Sequence, residues 1–327
     1  MALNDARNKG VLTVSVLSYP PVAAFAARRL QSVMPKMLAK QSGIANPRER
    51  RPEYATARRE LLIPADPPAR VVVHRPAEVG EKPGVHINFH GGGFILGQME
   101  ADDALCRIIA VEAGVIVIDV DYAVAPQHPF PTPPRQAYQI LKWVAEHAEE
   151  QGRDAARISV GGQSAGGALA AAACRQALNN GGPAVLLQLL HYPPIDLTVP
   201  TVQKHSPLAK PLLRPWMGEV FDSAYVPDRG QRADPLVSPA AIGDTADLTG
   251  IAPAVVIAAG DDILHDEDVR YARRLADVGA LIELIEVEGA DHSYDSVDDE
   301  RSREMYVRIA AHVRAVHLDP SIDKSHS

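Results

Sequence analysis

The sequence predicts an α/β protein with a mostly parallel sheet of eight strands, helices on both faces of the sheet and a helical cap. Three features of the chain support this fold class. Short apolar runs rich in Val, Ile and Leu alternate with helix-length patterns from residue 60 onward, these runs contain few polar residues, and two long segments interrupt the alternation. Such runs are typical of strands covered on both faces, and strand–helix alternation favours parallel pairing.

Eight apolar runs are predicted to be strands. They cover residues 61–63, 71–74, 85–89, 115–121, 158–161, 185–191, 254–260 and 281–287. No helical pattern separates the first of these runs, so we expect the sheet to begin with antiparallel strands, which can be joined by short connections.

Five helix-length patterns accompany the later strands. They cover residues 101–113, 133–150, 165–179, 266–278 and 301–317. The third pattern runs into Asn-Asn-Gly-Gly-Pro at residues 179–183, a combination that ends helices.

Two segments do not fit the alternation. Residues 1–50 show helical apolar stripes without a strand, and residues 197–250 are rich in proline with one expected helix near residues 216–225. Each is too long for a simple loop in a compact domain. We therefore expect a single core over residues 51–327, capped by residues 1–50 and by an insertion at about residues 197–230. The candidate lid residues on the insertion are Trp216, Met217, Phe221 and Tyr225.

Composition excludes several classes of protein. The 327 residues carry a net charge of −8, which argues against nucleic acid or an anionic membrane as the main partner. Cys106 and Cys174 are too few for a disulfide framework or for a thiolate metal site, and they favour a reducing compartment. The apolar stretch 11–27 is broken by Pro20 and Pro21, so we expect neither a membrane span nor a signal peptide, and we predict a cytoplasmic location.

The segment Gly162-Gln163-Ser164-Ala165-Gly166 lies between a predicted strand and an Ala-rich helix. A sharp strand-to-helix turn of the form G-x-S-x-G lifts its serine hydroxyl above the sheet edge, and small flanking residues avoid clashes with neighbouring backbone. We therefore predict that Ser164 is a nucleophile. The alternative is a glycine-rich turn in which Ser164 only caps the helix.

The segment His90-Gly91-Gly92-Gly93-Phe94 follows another predicted strand. Consecutive glycines let backbone N–H groups converge on one point, where they can stabilise the oxyanion of a tetrahedral intermediate. A phosphate-binding loop and a plain flexible turn are the alternatives, but no G-K-[ST] follows. We expect His90 and Gly91 to support the loop, with His90 holding it through hydrogen bonds rather than acting as a base.

An activated serine needs a base, and the base needs an orienting carboxylate. Asp262 follows the strand predicted at residues 254–260, and His292 lies in a loop after the last strand. We assign these two residues to the acid and the base. Asp261 is the close competitor for the acid, whereas Asp266 is expected to charge the start of the next helix.

Together these segments resemble the hormone-sensitive lipase family of α/β-hydrolases, which includes bacterial carboxylesterases. The resemblance covers about residues 60–315. Its motifs are H-G-G-G-F at His90, D-Y-x-x-A-P-x-H-P-F-P at Asp121, G-x-S-A-G-G at Gly162, Y-P at Tyr192, D-x-L-x-D-E at Asp262 and the final His292.

The resemblance implies an α/β-hydrolase fold and a serine carboxylesterase that acts on short- to medium-chain acyl esters without a metal or other cofactor. It places the oxyanion hole at Gly92, Gly93 and Ala165, and it suggests a homodimer by analogy only. Two alternatives stay open: hydrolysis of amides, carbamates or other acyl groups by the same triad, and a non-catalytic small-molecule receptor like the gibberellin receptors.

Three positions depart from the family pattern. Gln163 replaces the usual Asp before the nucleophile, and Ala123 and Gln127 replace an Arg and a Glu. Since removing one member of a buried charged network leaves its partners unpaired, our hypothesis is that the whole network is absent. The substitutions put the geometry of the substrate loop in doubt but do not touch the three predicted catalytic residues.

Overall fold

A computed structural model describes residues 15–41, 50–97 and 99–318. Its eight strands form one sheet in the order β1-β2-β4-β3-β5-β6-β7-β8. The strands are β1 (Thr56–Ile63), β2 (Ala69–Pro76), β3 (Val85–Phe89), β4 (Ile116–Asp121), β5 (Ile158–Gln163), β6 (Leu187–His191), β7 (Ala254–Ala259) and β8 (Leu281–Val287).

The sheet confirms the predicted pairing. β2 is antiparallel to β1 and to β4, and every other neighbouring pair is parallel. β1 begins five residues earlier than the apolar run that predicted it. Its first half carries exposed Arg58, Arg59 and Glu60, because an edge strand can pair through its backbone while its side chains face water.

Helices cover both faces of the sheet, as predicted. They are α1 (Pro20–Gln41), α2 (Asp103–Ala113), α3 (Thr132–Glu146), α4 (Ala165–Asn180), α5 (Pro215–Tyr225), α6 (His265–Asp277) and α7 (Asp299–His317). Buried side chains of α2 and α7 form one apolar layer, and those of α3, α4 and α6 form the other. The sheet therefore has two hydrophobic cores, one on each side, which explains the apolar runs in its central strands.

The helices outside the alternation, α1 and α5, pack against each other above the carboxyl ends of the strands. The ring of Tyr225 on α5 stacks on Phe94 with centroids 3.9 Å apart. Gln31 on α1 donates a hydrogen bond from Nε2 to the Ile95 carbonyl at 2.7 Å. These contacts agree with a two-part cap, although the division into a cap and a core stays a prediction, and residues 1–14 and 42–49 of the N-terminal part lie outside the described residues.

Over the described ranges, no helix is both long enough and apolar enough to span a bilayer.

Candidate active site

Four strand ends bring the predicted site residues to one edge of the sheet. β3 and β5 are neighbours, so the loop that begins at His90 lies beside the turn that carries Ser164. β7 and β8 are also neighbours, so the loop that carries Asp262 lies beside the loop that carries His292. Because parallel strands share a carboxyl edge, the four loops converge on that side.

Ser164 sits in a strained turn between β5 and α4. Its backbone has φ 50° and ψ −121°, in a region that side chains rarely adopt. The Ser164 N–H donates to the His191 carbonyl at 2.8 Å, which ties the turn to β6. This is the local geometry that the G-x-S-x-G pattern predicts.

Two glycines of the turn are required by close approach of the backbone. A Cβ on Gly162 would lie 2.3 Å from the Phe89 carbonyl oxygen, and a Cβ on Gly166 would lie 1.7 Å from the same atom. The end of β3 therefore presses directly on the nucleophile turn. Any side chain at either position would push these two elements apart.

The structure joins the three predicted residues in a chain of hydrogen bonds. Ser164 Oγ lies 3.0 Å from His292 Nε2, and His292 Nδ1 lies 2.6 Å from Asp262 Oδ2. All three side chains are buried, with 8%, 7% and 1% of the surface of Ser164, His292 and Asp262 exposed. A serine, a histidine and a carboxylate in this order can generate and stabilise a nucleophilic oxygen.

The electrostatic environment favours a charged His292. Burial lowers the pKa of His292, but the charge and hydrogen bond of Asp262 outweigh burial, so the pKa lies above the ordinary value of 6.5. An imidazolium is thus stabilised where a proton from Ser164 would arrive.

The alternatives for the acid occupy other roles. The Asp261 carbonyl accepts a hydrogen bond from Ser206 Oγ at 2.6 Å, and its N–H donates to the Ala290 carbonyl at 2.8 Å. Asp266 lies in the first turn of α6, where it complements the helix dipole, as expected. Of the three aspartates, Asp262 is the one bonded to the histidine.

The glycine loop after β3 adopts a conformation that needs glycine. Gly92 has φ +122° and Gly93 has φ +60°. Neither N–H donates to the backbone of another described residue, whereas the Gly92 carbonyl accepts from the N–H groups of Ile95 and Leu96. Ala165 opens α4 directly after Ser164. The assignment of an oxyanion hole to Gly92, Gly93 and Ala165 stays a prediction.

His90 is fully buried and contacts its own loop. Its ring stacks on Tyr122 with centroids 4.3 Å apart, and Nδ1 lies 2.6 Å from the Gly91 carbonyl oxygen. The Tyr122 hydroxyl donates to the His90 carbonyl at 3.1 Å. Burial lowers the pKa of His90, so its imidazole is neutral and donates from Nδ1. These contacts fit the predicted supporting role.

A buried carboxylate beside the triad was missed by the sequence analysis. Asp295 accepts hydrogen bonds from the hydroxyls of Tyr192 and Tyr306, each at 2.6 Å, and from Gln163 Nε2. The Tyr192 ring packs edge-on against the His292 ring, with centroids 4.9 Å apart. The only signal in the sequence was the position of Asp295, three residues after His292 in the same loop.

This arrangement gives Gln163 a physical role. The carboxylate that the family places before the nucleophile would here face Asp295, whereas the Gln163 amide donates to it. Gln127 instead exchanges hydrogen bonds with Gln31 at the surface, and the Ala123 N–H donates to Gln136. The three altered positions make separate contacts in this structure, and the loss of one shared network stays a hypothesis.

The insertion predicted as a lid contacts the loops that carry Asp262 and His292. Ser206 donates to the loop of Asp262, and the Leu212 N–H donates to Asp291 Oδ2 at 2.6 Å, next to His292. A Cβ on Gly93 would meet the ring of Phe221 at 2.4 Å. The cap therefore closes directly over the glycine loop.

Comparison with known proteins identifies relatives of this arrangement. A family model described as "alpha/beta hydrolase fold" matches residues 86–296. The esterase LipI of Mycobacterium tuberculosis is 36% identical over 212 residues, which are 64% of this chain and 65% of LipI. An ethyl acetate hydrolase of Pseudomonas putida is 38% identical over 208 residues, 63% of this chain and 64% of that protein. The match thus spans slightly less than two thirds of both relatives.

Solved structures extend the similarity over more of the chain. The thermostable carboxylesterase EstE1, cloned from a metagenomic library, has a TM-score of 0.79 and 30% identity, covering 89% of this chain and 98% of EstE1. An esterase of Pyrobaculum calidifontis has a TM-score of 0.78 and 31% identity, covering 88% and 92%. The fold prediction is confirmed, and the activities named for the relatives agree with the predicted ester hydrolase.

Proposed function

The chain belongs to the α/β-hydrolase-fold family, and on this basis we propose that it is a serine carboxylesterase that cleaves small carboxylic esters. The observation that carries the proposal is the hydrogen-bonded series from Ser164 through His292 to Asp262 at the strand ends. The esterases and the ethyl acetate hydrolase among its relatives support the same reaction.

In the first half of the reaction, His292 Nε2 takes the proton of Ser164 as its oxygen attacks the ester carbonyl. The N–H groups of Gly92, Gly93 and Ala165 hold the resulting oxyanion. His292 then protonates the alcohol, which leaves an acyl group on Ser164. Asp262 keeps the proton of His292 on Nδ1 and stabilises the imidazolium.

In the second half, His292 activates a water molecule that attacks the acyl group. A second oxyanion forms in the same place, and its collapse returns the proton to Ser164 and releases the acid. His292 Nε2 carries the proton in both halves of the reaction, so no further acid or base is needed.

The cap supports small substrates. Phe221 lies against Gly93, and the insertion is bonded to the loops of Asp262 and His292. We expect these contacts to limit the length of the acyl chain that reaches Ser164, in line with the short- to medium-chain esters that the family resemblance implies. A homodimer and a cytoplasmic location stay predictions.

The proposal is tested with a series of p-nitrophenyl esters of increasing acyl length and with a fluorophosphonate label. We expect hydrolysis that is fastest for short or medium chains and covalent labelling of Ser164. Ser164→Ala removes both signals, whereas Ser159→Ala, which alters a buried serine on the strand before Ser164, retains the label.

Absence of labelling in folded protein would point to the receptor alternative. If Ser164 is labelled but the protein hydrolyses anilides or carbamates and not esters, the alternative of an amide or carbamate hydrolase is supported. Labelling of Ser164→Ala would contradict the assignment of the nucleophile.

A further inference from the structure

A second cluster of reactive side chains lies within the sheet, away from the triad. His74 on β2, Cys106 on α2 and Asp119 on β4 each offer one ligand atom, and these atoms lie within 4.8 Å of one another. All three residues are buried, with 1%, 0% and 2% of their surface exposed. In the part of the chain that the structure describes, this is the one group of histidine, cysteine and carboxylate side chains with such spacing.

The fold explains why these residues meet. His74 pairs opposite Val117, so Asp119, two residues along β4, points to the same face of the sheet. The helix α2 packs on β2 and β4 from that side and brings Cys106 down onto them. The three ligands thus come from three rigid elements rather than from loops.

The cluster holds acidic groups that have no ion-paired cation among the described residues. The Asn88 amide donates from Nδ2 to Asp119 Oδ1 at 3.0 Å and to Asp102 Oδ2 at 3.3 Å. No Lys or Arg of the described residues forms an ion pair with either carboxylate, since the guanidinium of Arg107 binds Asp103 instead. If the Cys106 thiol and the Asp119 carboxyl were ionised together in this core, their two charges would be costly without a cation beside them.

We propose that His74, Cys106 and Asp119 bind a structural zinc ion. Imidazole, thiolate and carboxylate are the three protein ligands of zinc. A tetrahedral zinc holds its ligand atoms about 3.5 Å apart, so a contraction on the order of 1 Å closes the set. The cation compensates the charge of Cys106 and Asp119 together.

The surroundings of the three ligands also suit a metal. His74 Nδ1 lies 3.2 Å from Thr56 Oγ1, an outer contact that orients a ligating imidazole, so we assign Nε2 to the zinc. The Oδ1 atom of Asn88, which is 1% exposed, has no hydrogen-bond partner among the described residues. The Asp102 carboxylate accepts a hydrogen bond from the same Asn88 amide at 3.3 Å, outside the set of three ligands.

The site is distinct from the triad and does not depend on the proposed function. The sequence analysis found two cysteines too few for a thiolate site, but a mixed site needs only one. Zinc here would join β2, β4 and α2 during folding, and it has no part in the ester reaction.

The experiment measures metal in the full chain. The protein is produced in zinc-supplemented cells, passed over a chelating resin and analysed by elemental mass spectrometry. We expect about one zinc per chain in the wild type and in Cys174→Ser, which changes the other buried cysteine. In Cys106→Ser we expect the zinc content to fall more than about tenfold. Equal zinc in the two cysteine variants, or no zinc in the wild type, would overturn the proposal.

A cobalt-substituted protein reports the ligands directly. Protein produced with Co²⁺ should show a thiolate-to-cobalt charge-transfer band in the wild type and in Cys174→Ser but not in Cys106→Ser. If Cys106→Ser does not fold, Asp119→Asn takes its place and should lose zinc. The variant His292→Ala should keep its zinc, and loss of zinc in that variant would place the metal at the triad and contradict the site.

Discussion

Strand β5 and the turn that follows it carry two buried serines that each contact a histidine, and only one of them has the surroundings of a nucleophile. Ser164, just beyond the carboxyl end, lies 3.0 Å from His292. Ser159, near the amino end, lies 2.9 Å from His86 Nδ1 and 2.8 Å from His317 Nε2. Measured by the serine–histidine distance alone, the two sites are equivalent.

The differences lie in the partners of the histidines and in the backbone. His292 is bonded to Asp262, which raises its pKa, whereas burial lowers the pKa of His86 to about 3 and that of His317 to about 4. Ser164 occupies a strained turn, while Ser159 lies in regular strand geometry. We therefore expect a serine–histidine contact to become reactive through a carboxylate and a strained turn, and without them to be a structural hydrogen bond.

The largest effect should separate the two serines. We expect Ser164→Ala to lower kcat by about a million-fold with little change in the unfolding midpoint. Ser159→Ala should keep wild-type kcat but lose stability, because His86 and His317 lose their common partner. The measurements are ester hydrolysis and urea unfolding of both variants. Equal loss of kcat in the two would break the comparison.

Removing the carboxylate should make the triad resemble the Ser159 group. We expect Asp262→Asn to lower kcat by about 10⁴-fold. In the wild type, kcat/KM should fall as the pH drops through the raised pKa of His292, since the base must be neutral, and this midpoint should lie above 6.5. In Asp262→Asn the midpoint should move to lower pH. An unchanged midpoint would mean that another group controls it.

Gln163, the last residue of β5, allows a test of its contact with Asp295. Gln163→Glu places a second carboxylate against Asp295, and we expect it to lower the free energy of unfolding by about 1–3 kcal/mol. Adding Asp295→Asn should restore most of the loss, because donor and acceptor are then exchanged. Gln127→Glu, at the surface, is the matched control and should change little. If the changes in the free energy of unfolding caused by Gln163→Glu and by Asp295→Asn simply add in the double variant, the two side chains do not interact.

The smallest effect concerns acid stability. His86 and His317 are neutral in the folded protein down to pKa values of about 3 and about 4, while an unfolded histidine takes up its proton near pH 6.5. Their contribution to stability is therefore present above pH 6.5 and is lost as the pH falls from there toward 4. We expect His317→Gln to reduce the number of protons taken up on unfolding between pH 6.5 and 4 by about one per molecule.

Urea unfolding at a series of pH values measures this uptake. His312→Gln, on the outer side of α7 beside Glu283, serves as the control. An undiminished pH slope in His317→Gln would show that other groups cause the acid lability.

The sequence predicted what local pattern encodes. Apolar runs located all eight strands, and the motifs around His90, Ser164 and His292 located the loops that converge. Asp262 could be preferred to Asp261 only weakly, because adjacent residues leave a strand in different directions, and only the fold shows which one meets the histidine.

The unpredicted features depend on distant parts of the chain. Gln163 meets Asp295 across 132 residues, and Ser159 meets His317 across 158. His74, Cys106 and Asp119 belong to three separate elements, and each is unremarkable in its own segment. The start of β1 was missed because its charged side chains hide a backbone that pairs with β2.

The contact between Phe89 and Gly166 has a consequence for how such a protein can diversify. A Cβ at position 166 would overlap the Phe89 carbonyl oxygen, so no mutational step there is small. The cap residues, by contrast, contact the glycine loop through side chains such as Phe221. Substitution of such a side chain can add or remove a few atoms without moving the backbone. Substitutions in the cap can therefore alter the substrate in small steps. The turn around Ser164, by contrast, cannot accept a side chain at position 166 without moving the end of β3.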